Sequence, residues 1–328
     1  MYYKKTLLLT ACLLMLMLPQ VILGQIQSSQ LNKTKESEEL LIKIGADLVA
    51  LDVTVTDAKG NYVLDLTAAD FELREDGQVR SLDFFQPTSK LQNSSLALVI
   101  ALDLSGSLSE EETVLQRESI KKFIEQLDKT SLCALMGFNH QVNILQDFTN
   151  NHKKLGDKLT KIKDYGGSTR IYDALDRAVT MLKKAPTIRD KKRLRPVILV
   201  ITDGFDSSSI IDKKELIARA KVSGTTIYSI TIPSFSPLLT QGKKDRLPTL
   251  LDIAGVTTFT GGRDFSVDNN NYNKVFEEIA KEIAASYTLA YHLPKDLVAN
   301  KSHKLEVKVK RPGLQVRTSR DNYQVQNK

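Results

Sequence analysis

The feature that most constrains this chain is a pair of uninterrupted apolar runs, LALVIAL at residues 96–102 and VILVI at residues 197–201. A strand covered on one face alternates apolar and polar side chains. A run with no polar position is a strand covered on both faces. Amphipathic helices suit that covering role. Ile120, Phe123, Ile124 and Leu127 form one apolar stripe in a helix expected over residues 109–127, opened by a Ser109/Glu112 capping box. Ile171, Leu175, Ala178 and Leu182 form a second stripe. Residues 131–138 and 142–148 read as paired strands, 212–221 as a helix, 225–232 as a strand halted by Pro233, and 272–285 as a helix. The alternation predicts an α/β fold over residues 93–286, a doubly wound, mainly parallel sheet with helices on both faces.

Strands without helices flank this unit. Leu48, Leu51, Val53 and Val55 alternate approximately, and Asp76-Gly77 is a tight-turn dipeptide between residues 71–74 and 79–82. Residues 287–292, 305–309 and 314–318 read as further strands. Neither flank has enough strands to be stable alone. We therefore expect residues 45–87 and 287–325 to pair into one smaller β-sandwich-like domain, with the α/β domain inserted between its halves.

Residues 1–24 read as an address. Lys4 and Lys5 precede an apolar stretch over residues 7–18, broken by Pro19 and followed by the small Gly24. That order is the pattern of a secretory signal peptide, and the stretch is short against the about 20 residues of a membrane span. Leu9-Thr10-Ala11-Cys12 matches a lipid-attachment pattern, but cleavage there would leave residues 13–18 as an exposed apolar N-terminus. Residues 25–44 form a polar leader without periodicity. Export predicts the periplasm, cell envelope or extracellular space. Of the two Cys, only Cys133 would remain, in an apolar run that reads as a buried, inert thiol. The net charge of +7 loses Lys4 and Lys5 and no acid, leaving +5. An excess of that size gives no reason to invoke nucleic acid.

Three polar motifs fall at strand ends or helix starts. Asp103-Leu104-Ser105-Gly106-Ser107 directly follows the first apolar run, and Thr202-Asp203-Gly204 follows the second. Gly166-Gly167-Ser168-Thr169 opens the helix carrying Ile171. Ligands of open parallel sheets bind beyond the C-terminal strand ends, where all three motifs are expected. Asp103, Ser105, Ser107, Thr169 and Asp203 offer only hard oxygen donors, suited to Mg²⁺, Mn²⁺ or Ca²⁺ rather than Zn²⁺ or Cu²⁺. With two Ser hydroxyls, Thr169 and waters completing an octahedron, the protein carboxylates would only partly compensate the metal charge, and an open position would attract a partner's carboxylate. A protein ligand presenting an acidic residue is the expected partner.

This arrangement resembles the metal-ion-dependent adhesion site of von Willebrand factor A (VWA) domains, which reads D-x-S-x-S, then Thr, then Asp. The resemblance covers residues 93–286 and implies the VWA version of the Rossmann-like fold. It implies that Ser105, Ser107 and Thr169 make direct hydroxyl contacts to the metal. Asp103 and Asp203 would act mostly through water. The flanks are similar to exported bacterial VWFA-related proteins, known chiefly from acidobacteria: Leu51-Asp52-Val53-Thr54-Val55, Leu66-Thr67-Ala68-Ala69-Asp70-Phe71 and Tyr287-Thr288-Leu289-Ala290-Tyr291 carry the likeness. That family often ends in R-x-G-Y; here Asn322 stands where it has Gly. It has no single established activity.

Other readings compete. An Asp after a buried strand, with Mg²⁺ and a second strand-end Asp, also describes haloacid-dehalogenase phosphatases. Those need an acid two residues after the nucleophile, where this chain has Ser105. P-loop, G-x-S-x-G and H-E-x-x-H motifs are absent from the sequence, so the expectation is no enzyme. A scaffold role in an envelope complex is a further alternative. Asp206 and residues 207–209 read as loop polarity before the next helix. The basic run Arg189-Asp190-Lys191-Lys192-Arg193-Leu194-Arg195 reads as a solvated loop, with an anionic membrane surface as the alternative. His140, in a hairpin turn, and His152, opening a helix, read as structural. The sequence does not set the oligomeric state.

Overall fold

The computed structural model describes residues 48–106, 110–162, 166–203, 206–232, 253–268, 270–293 and 301–324. The expected signal peptide and leader, Ser107 and the expected Ser109 cap lie outside the described residues. Four strands come first, β1 (Leu48–Thr56), β2 (Phe71–Glu75), β3 (Gln78–Arg80) and β4 (Phe84–Gln86). Then follow β5 (Leu96–Asp103), α1 (Glu110–Glu125), β6 (Leu132–Phe138), β7 (Val142–Thr149), α2 (His152–Leu159) and α3 (Ile171–Lys184). A two-stranded hairpin, β8 (Ile188–Arg189) and β9 (Lys192–Arg193), leads into β10 (Arg195–Thr202), α4 (Lys213–Ser223) and β11 (Thr226–Thr231). The chain ends with α5 (Ile253–Phe259), β12 (Asp264–Ser266), α6 (Tyr272–Ala284), β13 (Ser286–His292), β14 (Ser302–Val309), β15 (Gln315–Thr318) and β16 (Asn322–Gln324).

The two apolar runs are β5 and β10, adjacent and parallel at the centre of a six-stranded sheet of order β12-β11-β10-β5-β6-β7. The sheet is parallel apart from β7, which returns antiparallel along β6. Its two faces carry separate cores, because successive strand side chains point to opposite sides. Leu96, Leu98, Ile100 and Leu102 of β5 pack with Phe123 of α1, Leu155 of α2 and Phe276 of α6. Ala97, Val99 and Ala101 pack with Leu175 and Val179 of α3, Leu216 of α4 and Val256 of α5. In β5 the residues on the face toward α3 are small, and those on the other face are Leu and Ile. Cys133 is buried on the first face, and burial raises its thiol far above the ordinary range. No helix of the described residues is long and apolar enough to cross a membrane.

The flanking strands form two four-stranded antiparallel sheets, β15-β1-β13-β4 and β16-β14-β2-β3. The N-terminal β1 pairs along its length with β13, from Leu48 opposite His292 to Thr54 opposite Ser286, and β2 pairs with β14. Val49, Leu51, Val53, Tyr287 and Leu289 of the first sheet share a core with Phe71, Leu73, Leu305 and Tyr323 of the second. The Asp76-Gly77 turn has both residues at positive φ, 49° and 84°, as the tight hairpin needs.

Buried polar contacts join the sandwich to the α/β unit. Asp52 of β1 accepts hydrogen bonds from Arg193 Nη1 at 2.9 Å and Thr288 Oγ1 at 2.7 Å, and its Oδ1 lies 3.3 Å from Arg195 Nε. Burial alone would raise the Asp52 carboxyl, but the two guanidinium charges and these hydrogen bonds outweigh it and hold it at about 2. Glu282 of α6, fully buried, accepts from Tyr62 Oη at 2.6 Å and Arg317 Nη2 at 2.5 Å. The basic run is thus only partly a solvated loop. Lys191 and Lys192 are exposed, but Arg195 is buried and Arg193 nearly so, both turned onto the β1 carboxylate.

Candidate metal-binding site

Strand order reverses between β5 and β10, since the chain leaves β5 toward β6 on one side and later returns through β10 on the other. Such a switch point leaves a crevice at the C-terminal strand ends. Asp103 is the last residue of β5, and Asp203 follows the last residue of β10. Parallel pairing of Ile201 with Leu102 brings these two ends side by side. Asp103, Ser105 and Asp203 line one small cavity of about 20 Å³, walled on the far side by Thr113, Gln116 and Arg117 of α1.

Asp103 is held by its neighbours. Its Oδ1 accepts the Ser105 backbone N–H at 2.9 Å, an Asx turn, and its Oδ2 accepts the Thr202 hydroxyl at 2.7 Å. The chain bends next at Gly106, with φ 91°. Burial raises the Asp103 carboxyl above its ordinary value, hydrogen bonds from Ser105 and Thr202 oppose that, and the Asp203 charge adds to it. Burial and the neighbouring Asp203 charge both disfavour the ionised form of Asp103, and a divalent cation in the crevice would relieve that conflict. The oxygen-only donors and this electrostatic strain fit a hard cation.

Thr169 is buried on the neighbouring loop and is not a wall of that small cavity. Residues 206–209, which read in sequence as loop polarity, form a network that fixes its position. Ser207 Oγ accepts the Thr169 N–H at 3.0 Å, and the Ser207 N–H donates to the Thr169 carbonyl at 2.9 Å. Asp206 Oδ1 accepts from Ile171 N at 2.9 Å, and Ser209 Oγ accepts from Tyr172 N at 3.1 Å and Asp173 N at 3.2 Å. The segment after Asp203 therefore caps α3, whose own N-cap residue, Arg170, makes no side-chain cap. Asn139 Nδ2 donates to the Gly166 carbonyl at 2.9 Å, and the Gly166 N–H donates to the Leu104 carbonyl at 2.9 Å. These bonds tie the three motif loops together.

At Gly167, φ is 96° and a Cβ would come within 2.7 Å of His140 Nδ1, so the hairpin histidine lies directly against the loop. Asp103, Ser105 and Asp203 are thus brought together, with Thr169 on a loop fastened to the segment following Asp203. Ser107 lies outside the described residues. Among the described residues no group of three or more His, Cys, Asp or Glu is placed to share a metal ion. A site with two carboxylates and otherwise hydroxyls does not form such a group.

Comparison with known proteins gives the family. No curated protein matches by sequence. Among solved structures, the chain is similar to the von Willebrand factor type A protein from Catenulispora acidiphila, at 10% identity over 87% of this chain and 75% of that one, with a TM-score of 0.47. It is also similar to an aerotolerance-related membrane protein from Bacteroides fragilis, at 19% identity over 58% of this chain and 98% of that one, with a TM-score of 0.43. The conserved hypothetical protein BatB from Bacteroides thetaiotaomicron has the same identity, coverage and TM-score. The profile of the von Willebrand factor type A domain matches residues 97–283, more than half of the sequence. With a mainly parallel sheet over that same span, the chain belongs to the von Willebrand factor type A domain family.

Proposed function

We propose that this VWA protein is a binding module that captures a protein partner through a divalent cation, Mg²⁺ or alternatively Mn²⁺ or Ca²⁺. Asp103, Ser105, Ser107, Thr169 and Asp203 would hold it. The observation that carries the reading is the pairing of Asp103 and Asp203 at adjacent strand ends in one partly buried crevice, with a hydroxyl two residues beyond the first. Bound there, the cation would supply positive charge and an open position for a carboxylate of the partner. The protein's own part is orientation. The Ser105 N–H and the Thr202 hydroxyl aim the Asp103 carboxylate, and the segment 206–209 holds the Thr169 loop.

The proposal extends to organisation and location. The pairing of β1 with β13 and of β2 with β14 supports a sandwich split as residues 45–87 and 287–325 around an inserted domain of residues 93–286. Export rests on residues 1–24 of the sequence, so the partner is sought in the envelope or outside the cell. The test is a crosslinking pull-down from native envelope in Mg²⁺ and in EDTA, with wild type and Asp103→Ala. Capture that needs Mg²⁺ and is lost in the variant is the expected result. Capture unaffected by both EDTA and the substitution overturns the reading.

A further inference from the structure

A second cleft of about 750 Å³ opens beside the carboxylate crevice, and Leu104 and Ile162 wall both. It lies between the β6–β7 turn, β7, the end of α2 and the Gly166-Gly167 loop. Leu104, Leu145 and Ile162 form an apolar floor on the edge of the first core. Leu104 lies flat on β6 because residue 137 is Gly; a Cβ there would come within 2.5 Å of Leu104 Cδ1. The rim carries Lys158, Lys161, His140 and amide side chains, and none of the cleft's described lining residues is acidic.

Some lysines have a local counter-charge, Lys192 in Asp128 at 2.9 Å and Lys221 in Asp321 at 2.7 Å. Lys158 and Lys161 are exposed and have no carboxylate at ion-pair distance among the described residues. Residues 152–162 carry Lys153, Lys154, Lys158 and Lys161 against one acid, Asp157. A carboxylate-lined crevice and a cationic cleft with an apolar floor therefore adjoin on one face.

We infer that this cleft binds an acidic segment of the protein partner, with an apolar side chain on the Leu104–Leu145–Ile162 floor and carboxylates against Lys158 and Lys161. The inference rests on the metal-bridged reading of the adjacent crevice and names the chemistry of the partner that the crevice engages. A nucleic-acid strand is the less suitable polyanion. The only aromatic ring of the described lining besides His140 is Phe138, which is buried and offers no face for base stacking.

The test uses the full chain and a fluorescent peptide alternating Asp with Leu, read by anisotropy. Controls are an Asn–Leu peptide of equal length and a single-stranded oligonucleotide of equal charge. The Asp–Leu peptide should bind more tightly than both controls. Lys158→Glu with Lys161→Glu should weaken it about tenfold, in Mg²⁺ and in EDTA alike, and leave Mg²⁺ binding by the protein unchanged. The milder Lys158→Ala with Lys161→Ala should weaken it by less, and raised salt should do the same in wild type. Failure of wild type to bind the peptide, equal binding of either control, or affinity unchanged in both lysine variants overturns the inference. Lysine dependence that persists without any Mg²⁺ dependence would refute the metal reading and leave the cleft standing. Mg²⁺ dependence without lysine dependence would do the reverse.

Discussion

Replacing Asp52 by Asn tests how the two parts of the molecule are joined. Asn is nearly isosteric, so packing between β1 and β13 is retained while the counter-charge of Arg193 and Arg195 is lost. In wild type the carboxyl drops from an ordinary 3.8 to about 2. A depression of that size corresponds to about 2 kcal/mol of folding stability at neutral pH. Removing one partner of a buried ion pair also strands the remaining charge, which places the loss for Asp52→Asn at about 2–4 kcal/mol. Because the folded carboxyl is the stronger acid, its contribution is complete above the unfolded value and fades as pH falls through the folded one. At pH 3 about half of the charge-dependent part remains. Urea unfolding of both proteins at pH 7, 5 and 3 measures this. The gap should be equal at pH 7 and 5 and clearly smaller at pH 3. No gap at pH 7, or a gap that does not narrow, refutes the assignment of a stabilising buried ion pair.

Asp206→Ala removes the acceptor for the Ile171 N–H and the Ser209 hydroxyl. It should cost about 1 kcal/mol in urea unfolding and weaken Mg²⁺ binding without touching a proposed ligand. Gly167→Ala should destabilise by about 1–2 kcal/mol through its positive φ and the clash with His140. Adding His140→Ala should restore only the steric part of that loss in thermal melts. Ending the chain at residue 285 removes β13 to β16, the pairing partners of β1, β2 and β4. Hydrogen exchange should then find β1 and β2 unprotected, whereas retained protection would contradict the split sandwich.

Much of the central sheet was legible in the sequence because its signals are local. The runs of β5 and β10 lack polar positions, and the motif residues follow them directly. Asp103 and Asp203 could be placed at strand ends without knowing any long-range contact. Local pattern fails where a partner lies far along the chain. Arg193 and Arg195 stand in what reads as a solvated basic run, and Asp52, which buries them, comes more than a hundred residues earlier. The α3 cap comes from Asp206 and Ser209, so neither helix start nor capping loop signals it alone. Helix α5 has a sequence, IAGVTTF, rich in β-branched residues and Gly, and its propensity argues against a helix. Burial of Ile253 and Val256 in the second core accompanies its formation. Strands β4, β12 and β16, three residues each, are too short to carry periodicity and are defined by the strands they join.

The central claim is that Asp103, Ser105, Ser107, Thr169 and Asp203 hold one hard divalent cation. Isothermal titration of the full chain with Mg²⁺, wild type beside Asp103→Ala, tests it most directly. Melting of both proteins in EDTA serves as the folding control. The account predicts one saturable Mg²⁺ site in wild type and none in the variant, with both chains folded. A variant that binds Mg²⁺ as wild type does, or a folded wild type that binds none, contradicts it.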